Sequence, residues 1–379
     1  MKLDRRQILA AGAASLFAPR IAFARAATER RLVFIIQRGA ADGLATLAPL
    51  GDKAYAGLRG DLADLGGGSR IDPLFTLHPA LAQVAQLYAG KQALFAHAVA
   101  SPYRERSHFD AQNVLETGGA LPYARKDGWM NRLLSLLPAG EARALAVSAT
   151  IPAALRGDNP VASYAPSNLP DAPGDLLQRV SQLYAGDAQL HGLWEEALQT
   201  RAMAAGTDLA GARGGQTAGK LVASLMSGAQ GARVVMVETT GWDTHAQQKG
   251  RLNAQLGGLD ALIAAIRDGL GPLWNDTLVI VATEFGRTAA VNGTGGTDHG
   301  TGALAMLLGG TVEGGRVVAD WPGLAPAQLY EGRDLKPTTP LDALLSGAIA
   351  GHFGLDPAIA AARLFPDAPA RPISGLIRA

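Results

Sequence analysis

At 379 residues, 48% hydrophobic and only 18% charged, the chain has ample material for a large buried core, which sets disorder aside. Its 34 Lys and Arg against 33 Asp and Glu leave no surplus of positive charge to neutralise a phosphate backbone, so no nucleic-acid partner is expected. The absence of cysteine excludes disulfides, thiolate metal ligands and a cysteine nucleophile together, and leaves His, Asp and Glu as the available metal ligands.

The chain opens with Lys2, Arg5 and Arg6 ahead of an uncharged apolar stretch from Ile8 to Ala18, which is too short to span a bilayer. Paired arginines followed by Ile8-Leu9, with small residues at Ala24 and Ala26, read as a twin-arginine signal peptide over residues 1–26. Cleavage after Ala26 would leave one mature domain, 27–379, delivered by the twin-arginine export machinery to the periplasm or beyond. No later apolar run is long enough for a membrane span, so a soluble exported protein is expected.

Arg31–Gln37 is a near-continuous apolar, β-branched run that ends in Gly39-Ala40-Ala41-Asp42-Gly43, as a central strand does when it leaves a sheet through a tight loop. Similar runs recur at Ala93–Val99, Ala144–Ser148, Arg233–Glu238, Thr277–Thr283 and Ala303–Leu308. Helical patterns lie between them, notably Ser107–Thr117, Leu252–Leu270 and Leu341–Phe353. Strands alternating with helices predict an α/β fold with a mainly parallel sheet covered by helices on both faces. Residues 159–219, rich in Pro, Ala, Gln and Gly, read as a helical insertion that ends in a glycine-dense connection over 206–219.

Ligands of such sheets bind outside the carboxyl ends of the strands, and polar residues gather there repeatedly. Asp42 follows the first strand. Ser107 stands where a charged loop enters a helix; capping serines far outnumber nucleophilic ones, but the same position would favour a nucleophile through the helix dipole. Asp243 and His245 follow the strand Arg233–Glu238; Glu284 and Arg287 follow Thr277–Thr283; Asp298 and His299 sit in a glycine-dense loop that lacks the Lys of a P-loop. The candidate metal ligands are therefore Asp42, Asp243, His245, Glu284, Asp298 and His299. Asp110, Glu238 and His108 are candidates for the layer behind them. Such a donor set suits Zn or Mn, with Mg or Ca as alternatives. His78, His97, His191 and His352 have no acidic partner in an evident motif and read as structural.

The segments SPYRERSHFDAQNVLETG, GWDTHAQQ and TEFGRTAAVNGTGGTDHGTG resemble the exported bacterial domain-of-unknown-function 1501 family, from about Arg31 to about Pro366. That family is grouped with the alkaline phosphatase and sulfatase superfamily. The resemblance implies a two-metal site in which Asp42 takes the first ligand position, Ser107 the nucleophile, Asp243 and His245 a later pair, and His299 the final imidazole. Where the superfamily has Asp-His-Gly, this chain has Glu284-Phe285-Gly286, so one imidazole is missing and Asp298 is the substitute.

The implied activity is a metal-dependent hydrolysis of phosphate or sulfate esters, on a small molecule or a glycan, with Ser107 and Arg287 catalytic. A binding or assembly protein that keeps the fold and one metal is the alternative. A metal-free hydrolase using Ser107, Asp243 and His299 ranks below both, because no G-x-S-x-G elbow occurs.

Overall fold

β1 (Arg31–Gln37) is buried along its whole length, and its neighbours explain why its apolar run is continuous rather than alternating. In the computed structural model, which describes residues 29–138, 143–165, 172–205, 214–228 and 231–378, this strand lies mid-sheet with parallel partners on both sides. The signal segment and Gly206–Gly211 fall outside the described residues.

The further strands, in chain order, are β2 (Leu47–Ala48), β3 (Ser69–Arg70), β4 (Thr76–Leu77), β5 (Ala93–Ala100), β6 (Ala144–Val147), β7 (Val161–Ser163), β8 (Val234–Thr239), β9 (Thr277–Ala282), β10 (Ala303–Leu308), β11 (Arg316–Val318) and β12 (Thr339–Pro340). The main sheet runs β11-β5-β10-β9-β1-β8-β6-β7, with β12 beside β5; β2, β4 and β3 form a small antiparallel sheet. Every pairing in the main sheet is parallel except those of β10, which runs antiparallel to both β5 and β9. The expected mainly parallel, doubly covered α/β architecture is therefore present.

Alternate residues of β1 feed two cores. Leu32, Phe34 and Ile36 pack with Trp129 and the helix Leu341–Phe353 on one face. Val33 and Ile35 pack with the helices Gly215–Met226 and Gln248–Leu270 on the other. Phe34 sits between Met236 of β8 and Ile280 of β9, and its full burial stabilises the fold by about 1.5–3 kcal/mol.

The predicted insertion is only partly an excursion. Gly174–Tyr184 and Ala188–Ala205 are helical, but β7 joins the sheet edge beside β6. Gly215 and Gly219, expected in a loose connection, lie inside a helix instead. A Cβ on Gly215 would meet the Gly258 carbonyl oxygen at 1.9 Å and one on Gly219 the Leu262 oxygen at 2.4 Å, so the two helices touch backbone to backbone. No helix of the described residues is long and apolar enough to cross a membrane.

The sheet direction decides where chemistry can gather. The C-terminal ends of β1, β5, β8 and β9 share one edge, and β10, being reversed, brings its N-terminal end to that same edge. Five loops thus converge: 38–42, 101–107, 240–247, 283–288 and 292–302.

Candidate metal centre

His108 opens the helix His108–Thr117, directly after Ser107, and its imidazole meets that of His299, which in turn meets His245. Nε2 of His299 lies 3.0 Å from Nε2 of His108 and 3.0 Å from Nε2 of His245. Asp243 closes the group: its Oδ1 is 2.9 Å from His245 Nε2 and 3.3 Å from His299 Nε2, and its Oδ2 is 3.5 Å from His108 Nε2.

The other nitrogen of each ring fixes what this convergence means. Nδ1 of His108 lies 2.7 Å from Glu284 Oε1, Nδ1 of His245 3.0 Å from Asp298 Oδ1, and Nδ1 of His299 3.1 Å from the Arg106 carbonyl oxygen. Each partner is an acceptor, so each Nδ1 carries the hydrogen and donates it. The Nε2 atoms of His108 and His299 and an oxygen of Asp243 then lie within 4.8 Å of one another, a group that could hold one ion, while His245 stands outside it, next to His299 and Asp243. Tetrahedral zinc with bonds of 2.0–2.1 Å spaces its ligand atoms about 3.3 Å apart, and the spacings among His108, His299 and Asp243, 3.0, 3.3 and 3.5 Å, bracket that value. The donor set fits a divalent cation, and the acceptors behind each imidazole are those that raise ligand basicity at metal sites.

The surroundings hold these groups rigidly. Glu284 is buried and accepts the Gly39 amide at 2.8 Å, Gln112 Nε2 at 3.0 Å and Thr283 Oγ1 at 3.0 Å besides His108. Burial alone would raise its pKa, but the hydrogen bonds from His108 and Gln112 hold the carboxyl below its ordinary value. Asp243 is likewise held down against partial burial by Arg287, whose Nη1 donates to Oδ1 at 2.6 Å. His108 is raised, chiefly by the Glu284 hydrogen bond, and His299 is lowered by burial and by His108. Phe285 stacks on His108 with ring centroids 5.0 Å apart and lies 5.3 Å from His299, making an apolar floor.

Several residues singled out in the sequence stand elsewhere. Asp42 is not with the imidazoles: it is buried and ion-paired to the fully buried Arg59, and it also accepts from Gln248 and, at 3.1 Å, from the Ala45 amide. A guanidinium, not a metal group, faces Asp42 among the described residues. Glu284 and Asp298 stand behind His108 and His245, because their oxygens meet Nδ1 atoms. Arg287 is fully buried and donates to Asp243, to Thr297 Oγ1 at 3.1 Å and to the Thr297 carbonyl.

His108, expected behind the ligands, stands with Asp243 and His299 in the group that could hold an ion. The available signal was its place at a helix start among the strand-end loops. Asp110 accepts from Tyr103 and Glu238 from Arg38, away from the imidazoles. His97 and His352 are buried, His78 accepts from the Ala80 amide and His191 pairs with Glu195, in keeping with structural roles. Ser107 is the N-cap of its helix by position, yet its side chain makes no capping hydrogen bond.

A family model described as "Protein of unknown function (DUF1501)" matches residues 90–362. None of the curated proteins compared matches the sequence. Among solved structures, the C-terminal periplasmic domain of EcEptC from Escherichia coli, in complex with Zn, is similar over 75% of this chain and 74% of that one, at 8% identity and a TM-score of 0.38. The phosphonate monoester hydrolase of Agrobacterium radiobacter is similar over 76% and 70%, at 10% identity and a TM-score of 0.35. Ps i-CgsB in complex with k-i-k-neocarrahexaose is similar over 86% and 72%, at 12% identity and a TM-score of 0.38.

Proposed function

The chain belongs to the DUF1501 family, and for it we propose a metal-dependent hydrolysis of phosphate or sulfate esters, performed after twin-arginine export to the periplasm. One observation carries the reading: the Nε2 atoms of His108 and His299 and the Asp243 carboxylate gather within 4.8 Å of one another, and the Nδ1 of each of these two rings is tied to an acceptor. Zinc suits two imidazoles and one carboxylate best, with manganese next. The site takes one ion, because Arg59 supplies the positive charge that Asp42 faces.

When bound, a divalent cation supplies Lewis-acid charge to the oxygens of an anionic ester. The chain's own residues do the rest. His108, His299 and Asp243 would hold it, with His245 beside them, and Arg287 keeps Asp243 aimed. Ser107, beside His108 at the amino end of a ten-residue helix, offers an uncapped hydroxyl where the helix dipole favours negative charge. Its oxygen bonds to the phosphorus or sulfur as the ester oxygen leaves with a proton as the alcohol, and water then releases phosphate or sulfate and restores the hydroxyl.

The second reading is a secreted binding or assembly protein with one structural metal, and the Asp42–Arg59 pair favours it by replacing a second cation. Metal content and turnover of 4-nitrophenyl phosphate and 4-nitrophenyl sulfate separate the two. The hydrolase predicts about one equivalent of metal and turnover that a chelator abolishes; metal without turnover on a broad ester panel supports the second reading. Export is tested apart, by replacing Arg5 and Arg6 together with lysine: efficient export of that variant overturns the twin-arginine route.

A further inference from the structure

A second cavity, of about 330 Å³, opens toward the C-terminal end of the helix His108–Thr117, lined by Val114 and Leu115 from that helix and by Leu341, Leu345 and Phe365. Its apolar walls are interrupted by polar groups that lack partners. Ser101, only 6% exposed, lines the cavity with a buried hydroxyl that has no hydrogen-bond partner, and Thr338 Oγ1 beside it has none either. Two buried hydroxyls without partners each carry a desolvation cost, which a bound acceptor would relieve.

Arg104 lines the same cavity. Its Nη1 donates only to the carbonyl oxygens of Ser101 and Tyr103, and no carboxylate pairs with it among the described residues. Burial lowers its pKa from the ordinary value, as expected of a guanidinium short of counter-charge. The cavity's own carboxylate, Asp342, is already engaged, accepting the Ala343 amide at 3.0 Å and the Ala370 amide at 3.4 Å. Hydrocarbon walls, free hydroxyl donors and a cation without an anion together describe an amphipathic acid.

We propose that this cavity binds a small organic carboxylate, its apolar body against Leu115, Leu345 and Phe365 and its carboxylate on Arg104 and the hydroxyls of Ser101 and Thr338. This site is separate from the imidazole cluster. The two share the 101–108 segment, which gives Ser101 and Arg104 to the cavity and His108 to the cluster.

The test is isothermal titration of the folded mature protein with 4-phenylbutyrate and octanoate, beside the uncharged 4-phenylbutanol and octanol. Each is run with chelator present, so that no carboxylate is captured by a metal ion. The acids are expected to bind at least tenfold more tightly than the alcohols. Arg104→Gln should erase that preference, and Ala120→Trp, at a partly exposed lining position, should abolish binding of all four. Absence of binding by either acid at millimolar concentration overturns the proposal. So does binding that survives Ala120→Trp unchanged, or that requires metal. Because the chelated protein is used, failure of the hydrolase reading leaves this result untouched.

Discussion

Glu284 Oε1 lies 2.7 Å from Nδ1 of His108, and the same oxygen takes the Gly39 amide and Gln112 Nε2. A carboxylate so tied aims the imidazole rather than binding metal itself. Glu284→Gln keeps the shape and removes the charge, so metal affinity should fall about 10–100-fold while the fold is retained. Metal titration against a competing chelator measures it, and an unchanged affinity would put Glu284 outside the metal's surroundings.

Removing an imidazole acts more directly. His299→Ala deletes the nitrogen that lies 3.0 Å from both other rings. A bound ion stabilises the folded chain by about 4 kcal/mol when present at a thousand times its Kd. Chelation should therefore lower the wild-type Tm clearly and that of His299→Ala little. Equal chelator effects in the two proteins would show that His299 does not hold the ion.

Much of this arrangement was legible in the sequence, for reasons that also mark where reading stopped. β1, β9 and β10 announced themselves because strands buried on both faces are apolar throughout. The reversed direction of β10 was not legible, since a run such as ALAMLL reads the same for either orientation. Loops after strands identified the neighbourhood of the site, but not which atom of each residue faces inward. Which side of His108 meets Glu284, for example, depends on how the ring is turned, and spacing does not carry that. Arg59 was missed altogether, because a five-residue helix that carries the counter-charge of Asp42 leaves no periodic signal.

Two histidines outside the centre should shape acid stability. His97 gives Nε2–H to the Leu47 carbonyl and accepts the Ala98 amide on Nδ1, and burial lowers its pKa to about 4. His352, between Arg31 and Thr311, is lowered by burial to about 3. Between pH about 6.5 and about 4 the unfolded chain binds protons at both positions and the folded chain does not, so stability falls as pH falls. Each group contributes up to about 1.4 kcal/mol per pH unit in that window and no slope above it. Urea midpoints at pH 7.5, 6 and 5 should show a shallower decline for His352→Gln than for the wild type; identical declines would contradict a neutral buried His352.

The Asp42–Arg59 pair separates a one-ion site from a two-ion site. Asp42→Asn leaves Arg59 buried without its counter-charge, which should cost about 3–5 kcal/mol of stability. Metal content should stay near one equivalent. Asp42→Asn combined with Arg59→Met should recover part of the loss, since an apolar side chain there needs no partner. Loss of metal in Asp42→Asn under conditions where the variant is folded would return Asp42 to the ligand set.

Ser107 is the position at which stability and chemistry should come apart. Its side chain makes no capping hydrogen bond, so Ser107→Ala should cost less than the roughly 1 kcal/mol of a lost N-cap. Ser107→Asn and Ser107→Asp place good capping groups at the helix start and should melt at or slightly above the wild-type temperature. None of the three supplies an alcohol oxygen, so a nucleophilic Ser107 predicts loss of at least a thousandfold in turnover from all of them, on the order of 4 kcal/mol in activation free energy. Metal content must be measured in each, because Asp beside His108 could itself bind the ion; Ala and Asn carry the comparison there. Turnover in Ser107→Asn within tenfold of wild type, with metal retained, would remove Ser107 from the mechanism and leave a water molecule as the attacking group.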